Sequence, residues 1–233
     1  MKPVLIRQHV ESAPPGILAR WLDARGLRHE VDRSWLGGPV PDPERYAFVA
    51  SLGHERGAND THDPAVVAER ELLGRAVAAG VPVLGLCYGG QVLAAVLGAH
   101  VGPAPVPELG WRTIETDAPQ LVPAGPWLEW HFERFEAPPG ATELARTPEA
   151  SQAFRLGPHL GVQFHPEATV EIVAGWARAD ADRLDARGLA DAAAGLTASP
   201  EQRAAAEDAA FRLFDGFLAE AQVADQIGET VAI

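Results

Sequence analysis

The chain has 233 residues, a formal net charge of −13 at pH 7 and a single cysteine. This length favours one large domain, and the acidic balance makes nucleic acid an unexpected partner, because phosphate neutralisation supplies most of such affinity. One cysteine excludes an internal disulfide and any multi-cysteine zinc or iron–sulfur site.

The first part of the chain alternates between short apolar runs and amphipathic helical patterns. Asp63 is a suitable N-cap and Gly80 a suitable stop for the second helix. The predicted elements are strands over 4–6, 29–35, 46–50 and 81–86, and helices over 15–25, 64–79 and 91–98. This alternation predicts an α/β fold with a doubly wound, mostly parallel sheet flanked by helices and ligands at the carboxyl ends of the strands.

The pattern changes in the second part of the chain. Residues 101–164 form short β-like runs separated by proline and glycine, which predicts a more antiparallel stretch. Residues 170–180 and 200–220 have helical periodicity, with an alanine-rich join between them. The apolar stripe on the last helix is interpreted as packing against its own domain.

The only cysteine, Cys87, stands between an apolar run and a glycine-rich helix start, in Gly85-Leu86-Cys87-Tyr88-Gly89-Gly90-Gln91. A strand that turns sharply into a helix exposes a nucleophile above the edge of the sheet and lets the following amides face a developing oxyanion. Amides at a helix N-terminus also favour the thiolate, which is the attacking species. The alternative for a cysteine that stood alone is a small buried apolar residue.

A second motif, Gly161-Val162-Gln163-Phe164-His165-Pro166-Glu167, follows far downstream. In an extended segment the side chains of His165 and Glu167 project to the same side. The carboxylate would then fix the tautomer of the imidazole, and the imidazole would take the proton of Cys87. Together the two motifs predict a Cys-His-Glu catalytic site.

Other polar side chains are harder to interpret. His131 and Glu133 alternate along one segment and stay open as residues that face the pocket, with Trp127 and Trp130 as an aromatic wall beside them. The loop that carries His54 and two further polar residues is interpreted as solvated, and the remaining histidines lack ligand spacing. No metal or other cofactor is therefore expected.

The motifs together resemble the class I glutamine amidotransferase family, particularly free-standing members similar to the glutaminase half of GMP synthetase. Further matching segments are residues 50–55, 107–111, 125–133 and 152–155. The resemblance implies a flavodoxin-like amidotransferase domain over residues 1–180, and residues 181–233 form a helical extension packed on it. Two departures are His54, where the family often has proline, and Glu133, where aspartate is common.

The resemblance also implies roles for particular residues. Cys87 would attack the side-chain amide of glutamine and form a γ-glutamyl thioester, with ammonia as the leaving group. His165 would shuttle the proton and Glu167 would orient it. The oxyanion would lie between the amides of Gly53 and Tyr88, and Gln91 would contact the bound amino acid. The product ammonia would pass to a separate synthetase, because the chain has no P-loop.

Alternatives to this function remain open. A γ-glutamyl hydrolase or peptidase would use the same thioester chemistry on a larger substrate. An inactive regulatory or binding subunit is less consistent with an intact triad, and a cysteine redox sensor is less consistent with a lone cysteine. The chain has no long apolar segment and no signal-like N-terminus, so we expect a cytoplasmic protein without a membrane partner. A homodimer is possible.

Overall fold

The computed structural model describes residues 2–189 and 196–221. Within these residues the strands are β1 (Val4–Gln8), β2 (His29–Arg33), β3 (Val49–Ser51), β4 (Val83–Leu86), β5 (Val101–Arg112), β6 (Glu115–Thr116), β7 (Trp127–Phe135), β8 (Thr142–Arg146), β9 (Ser151–Leu156) and β10 (His159–Val162). The helices are α1 (Gly16–Ala24), α2 (Pro64–Ala78), α3 (Tyr88–Val96), α4 (Val170–Ala179), α5 (Ala181–Ala186) and α6 (Pro200–Glu220). None of the helices in this part of the chain is both long enough and apolar enough for a membrane crossing.

The central sheet has eight strands in the order β2-β1-β3-β4-β10-β9-β8-β6. Its first five strands are parallel, with β4 between β3 and β10. The last three strands continue the sheet in antiparallel fashion. A separate antiparallel pair is formed by β5 and β7. The predicted mostly parallel sheet and the antiparallel stretch after residue 101 are both confirmed.

Helices cover both faces of the sheet because the buried strands are apolar on both sides. Val4 and Ile6 face one core, which they share with α1 and α6, whereas Leu5 faces a second core formed with α2 and α3. In the first core the ring of Trp21 lies 5.4 Å from that of Phe214. The doubly wound architecture is thereby confirmed, and α6 contributes Leu213, Phe214, Phe217 and Leu218 to the buried residues.

Local signals placed most element ends correctly. The side chain of Asp63 accepts a hydrogen bond from the amide of Ala65 at 2.8 Å and caps α2, and Gly80 adopts a φ of +68° just after that helix. Two strands are shorter than predicted. β2 ends at Arg33, where a 3₁₀ turn over Ser34–Leu36 begins. β3 begins only at Val49, because the chain first has to leave the 3₁₀ turn at Pro43–Arg45.

The start of α3 was predicted wrongly. The helix begins at Tyr88 and not at residue 91, so two glycines that resemble a loop lie in its first turn. They are required there by close packing. A Cβ on Gly89 would come 2.2 Å from the carbonyl oxygen of Ser51, and one on Gly90 would come 2.5 Å from that of Val162.

The proposed division of the chain at residue 180 stays a prediction. Of the predicted extension, α5 and α6 lie within the described residues, and residues 190–195 and 222–233 lie outside them.

Candidate active site

Cys87 occupies a sharp turn between β4 and α3. Its backbone has φ 51° and ψ −107°, and among the described residues it is the only non-glycine residue with positive φ. Such a conformation costs on the order of 1–3 kcal/mol and is found where surrounding structure enforces it. The enforcement here is steric, since a Cβ on Gly85 would come 2.6 Å from the carbonyl oxygen of Gly89. The predicted strand–turn–helix elbow is therefore present, with the sulfur at the carboxyl end of a central strand.

The structure brings His165 and Glu167 to the same place. Nδ1 of His165 lies 2.8 Å from Oε1 of Glu167, which leaves the other ring nitrogen for the thiol. Cys87 and His165 are 5% and 6% exposed and line one cavity, so they meet at a pocket and are not sealed in the core. Burial lowers the pKa of His165, but the negative charges of the Cys87 thiolate and Glu167 outweigh it and raise that pKa well above its usual value. This arrangement stabilises an imidazolium beside a thiolate.

The two predicted oxyanion donors lie on either side of the sulfur. Tyr88 is the first residue of α3, so its amide has no acceptor within the helix. Gly53 follows β3 and lines the cavity. A Cβ on Gly53 would come 2.8 Å from Cε1 of His165, so only glycine allows the loop to approach the imidazole so closely. Their role as donors stays a prediction.

Two glutamines lie beside the sulfur. The amide nitrogen of Gln91 donates to the backbone carbonyl of Glu133 at 3.0 Å and to Oε1 of Gln163 at 3.3 Å. Nε2 of Gln163 in turn lies 3.7 Å from Sγ of Cys87. Gln91 lines the cavity as expected, but its amide nitrogen holds β7 in place, and a contact with substrate stays a prediction. Gln163 was missed, although its position two residues before His165 in an extended segment places both side chains on one side.

The cavity has a volume of about 500 Å³ and an aromatic wall. The ring of Trp176, on α4, lies 4.7 Å from that of His165 and 5.8 Å from that of Trp130. Its indole nitrogen donates to the carbonyl of Ser12 at 2.9 Å. Trp176 therefore covers the catalytic imidazole, and sequence reasoning missed it because nothing in a helical repeat shows which helix returns to the site.

Of the tryptophans predicted to line the pocket, only Trp130 does so. Trp127 is buried, stacks on Phe164 at 4.4 Å and donates its indole hydrogen to the carbonyl of Pro123. The prediction was wrong for Trp127 because side chains alternate along a strand, and two residues separated by three positions point to opposite faces. His131 and Glu133, left open in the sequence analysis, both line the cavity.

The cavity mouth carries charged side chains from several elements. Phe132 on β7 lies between the guanidinium of Arg183, 4.7 Å from its ring centroid, and that of Arg187, at 4.3 Å. Arg183 also lies 3.7 Å from a carboxylate oxygen of Glu55. The predicted extension thus supplies part of the rim, which the sequence did not indicate.

His54, on the loop after Gly53, does not bring a positive charge to this rim at neutral pH. Burial and the neighbouring Arg56 lower its pKa to about 4. Nδ1 of His54 accepts a hydrogen bond from the backbone amide of Arg56 at 2.9 Å. The departure from the family pattern at this position is therefore accommodated by a neutral imidazole that shapes the loop.

A buried ionic network supports the elbow from behind. Nε of Arg7 donates to Glu69 at 3.0 Å, and the hydroxyl of Ser51 donates to the other oxygen of Glu69 at 2.6 Å. Nε2 of His9 lies 3.3 Å from that hydroxyl. Burial, with the charge of Arg7, lowers the pKa of His9 to about 3, so this ring is neutral. Because the backbone of Ser51 packs directly on Gly89, the network fixes the strand against which the elbow turns.

A second buried polar cluster, formed by Glu108, Glu129 and His131, lies on the β5–β7 pair. Glu108 is directly opposite His131 in the ladder, and Glu129 precedes His131 by two residues on the same face. Nε2 of His131 is 3.3 Å from a carboxylate oxygen of each glutamate. Burial lowers the pKa of His131, but the two glutamates outweigh it and raise that pKa to about 9. The cluster thus stabilises positive charge at this nitrogen.

Comparisons with known proteins agree with this geometry. Residues 58–172 match the family model "Glutamine amidotransferase class-I". A GMP synthase [glutamine-hydrolyzing] from Aeropyrum pernix is 42% identical over 164 residues, which cover 65% of this chain and 30% of the relative. One component of a two-part GMP synthase [glutamine-hydrolyzing] from Ignicoccus hospitalis is 39% identical over 95 residues, which cover 37% of this chain and 50% of the relative. The chain therefore matches half or less of the length of these relatives.

Solved structures extend the likeness over nearly the whole chain. A glutamine amidotransferase from Methylobacillus flagellatus superposes with a TM-score of 0.81 at 28% identity and covers 94% of this chain and 95% of its own. A glutamine amidotransferase from Thermotoga maritima has a TM-score of 0.79 at 25% identity, covering 93% and 98%. Fold, elbow and family model point the same way, and the chain belongs to the class I glutamine amidotransferase family of cysteine-nucleophile enzymes.

Proposed function

We propose that this protein hydrolyses the side-chain amide of glutamine through a γ-glutamyl thioester on Cys87 and releases glutamate and ammonia. The observation that carries the proposal is the placement of Cys87 at a strained elbow in the same cavity as His165, whose Nδ1 is held by Glu167 at 2.8 Å. A strained nucleophile, a base and a group that orients the base are the parts that acyl transfer requires.

In the first half of the reaction the sulfur of Cys87 attacks the amide carbon of glutamine. The carbonyl oxygen becomes an oxyanion, which the amides of Gly53 and Tyr88 stabilise; removal of one such donor typically costs about 10²–10³ in rate. His165 takes the thiol proton and gives it to the departing nitrogen. The C–N bond breaks, a C–S bond has formed, and ammonia leaves.

In the second half His165 acts as a base toward water. The resulting hydroxide attacks the thioester carbon, the same amides stabilise the second oxyanion, and the C–S bond breaks to give glutamate and the free thiol. Glu167 holds the imidazole in one tautomer throughout and stabilises its charged form. Trp176, packed on the ring, excludes water from one side of it.

The ammonia would serve a separate acceptor enzyme. This part of the proposal rests on relatives named GMP synthase [glutamine-hydrolyzing], one of which is a single component of that enzyme. The acidic net charge of −13 suits a partner with a basic docking face.

Glutamate release from glutamine by purified protein, with and without Cys87→Ala, tests the proposal. We expect turnover in the unchanged chain and none in Cys87→Ala, because no other thiol exists in the sequence. The substitution keeps a Cβ at the strained position, so an unchanged melting temperature shows that loss of activity is chemical. Retained hydrolysis in Cys87→Ala would refute the assignment.

A γ-glutamyl hydrolase is the second candidate, and the cavity supports it. A volume of about 500 Å³ with Arg183 and Arg187 at the rim leaves room beyond the catalytic residues for a larger amine. Comparison of kcat/KM for glutamine with that for γ-glutamyl amides and dipeptides separates the two candidates. A higher value for the larger substrates would favour the hydrolase.

A further inference from the structure

We propose that Glu108, Glu129 and His131 bind a divalent transition-metal ion, with Zn²⁺ or Mn²⁺ as the matching chemistry. The three residues offer one imidazole nitrogen and two carboxylate oxygens that lie within 4.8 Å of one another. All three side chains are almost fully buried, at 1%, 0% and 3% exposed. The sequence analysis expected no metal, because this cluster forms only through the pairing of β5 with β7.

The first argument concerns the direction of His131. Its Nδ1 lies 3.0 Å from the backbone carbonyl of Glu133, a contact in which the nitrogen donates and Nε2 is left with its lone pair. Nε2 is 3.3 Å from an oxygen of Glu108 and from one of Glu129, yet it makes a proper hydrogen bond to neither of these described residues. Ligand atoms about 2 Å from a common zinc ion lie about this far apart. The ring therefore points between the two carboxylates, as a ligand would.

The second argument concerns unpartnered oxygens. Neither carboxylate oxygen of Glu129 has a hydrogen-bond partner among the described residues, and the same holds for Oε1 of Glu108. A buried carboxylate without a partner is costly, so native structures rarely keep one. The guanidinium of Arg112, 44% exposed, comes within 3.8 Å of Glu108 but is not paired with Glu129. A dication between the two glutamates would satisfy both.

The third argument concerns the groups around the ligands. The other oxygen of Glu108 accepts hydrogen bonds from Thr147 at 3.0 Å and from Gln152 at 2.8 Å, which fix the carboxylate. Together with the carbonyl that holds His131, these are the outer contacts that orient metal ligands. His131 also lines the cavity, so an ion has a path from solvent.

The position of the cluster indicates what the ion would do. The carbonyl of Leu128 accepts from the amide of His165 at 2.9 Å, and that of Trp130 lies 3.9 Å from the sulfur of Cys87. Glu129 and His131 alternate with these residues on β7. A metal at the cluster would therefore fix the strand against the nucleophile and the base without touching the substrate.

The test measures Zn²⁺ binding by calorimetry and bound metal by elemental analysis on chelator-stripped Cys87→Ala protein. Removal of the thiol excludes binding at the catalytic pair. We expect about one tightly bound Zn²⁺ per chain, displaced by Mn²⁺ but not by Mg²⁺, which prefers an all-oxygen shell. Addition of Glu129→Gln should weaken binding more than about 100-fold, since loss of an outer partner alone costs 10–100-fold. Addition of Glu136→Gln, an exposed glutamate just after β7, should leave it unchanged.

Cobalt supplies a second measurement that needs no ligand variant. Co²⁺ added to Cys87→Ala protein should give visible bands of a nitrogen–oxygen site, and Zn²⁺ should remove them. The proposal is overturned if Cys87→Ala protein binds no metal, if Glu129→Gln binds as tightly as its control, or if only protein with the intact thiol retains zinc. Each of these results would mean that a proton alone supplies the positive charge at His131.

Discussion

The molecule contains two buried polar groups of similar make-up on either side of the nucleophile, and they are satisfied very differently. Behind the elbow, Arg7 and Ser51 each donate to Glu69, so its carboxylate has a cation and a hydroxyl as partners. On the β5–β7 pair, Glu129 has neither. The difference teaches that the first group is complete as the chain folds, whereas the second is arranged around a positive species that the polypeptide does not fully supply.

The largest effect is expected from breaking the complete network. Glu69→Ala leaves Arg7 charged in the core beside Asp32 alone, and loss of one partner of a buried pair typically costs about 3–5 kcal/mol. Urea unfolding measures the change. Glu71→Ala, on the same helix and 55% exposed, is the matched control and should change stability by less than about 0.5 kcal/mol. Equal effects of the two substitutions would contradict the structural role of the network.

A medium effect is expected from the pH dependence of the same network. The pKa of His9 is lowered from 6.5 to about 3, so the unfolded chain binds a proton there more readily than the folded chain. The stabilising contribution is therefore complete above about pH 6.5 and is lost as the pH falls toward 3, by at most about 1.4 kcal/mol per pH unit.

Unfolding of the unchanged chain and of His9→Gln across this range checks the pH prediction. The slope attributable to His9 should disappear in the variant. The same slope in both proteins would mean that His9 is protonated in the folded state or does not differ from the unfolded chain.

The smallest effect is expected from the second cluster in metal-free protein. Glu129→Gln removes an unpartnered buried carboxylate, and we expect a change between zero and about 1 kcal/mol in the stabilising direction. Added Zn²⁺ should then stabilise the unchanged chain but not the variant. Glu136→Gln again serves as the control. Destabilisation by several kcal/mol without metal would show that Glu129 is already paired with a charged His131.

Local signals in the sequence were sufficient for part of this picture. Apolar runs, caps and glycine positions predicted the parallel strands and their helices, and the elbow glycines with the single cysteine indicated the nucleophile. His165 and Glu167 were predictable because alternation in an extended segment places them side by side. These features depend on residues that are close in sequence.

The rest depends on contacts between distant segments. Glu108 faces His131 only in the register of β5 on β7, which includes an irregularity between Pro103 and Glu108 that no pattern revealed. Trp176 reaches His165 because α4 folds back over the site, and the start of α3 depends on how closely Gly89 packs on Ser51. Neighbours of this kind follow from tertiary packing, which a single sequence does not display.

The most direct measurement of the central claim, that Cys87 and His165 act together on glutamine, is trapping with an electrophilic L-glutamine analogue followed by peptide mass spectrometry. The account predicts one adduct per chain on Cys87, formed much faster with the L than with the D analogue and strongly slowed in His165→Gln. An adduct at another residue, or equal rates for both enantiomers and for the variant, would contradict it.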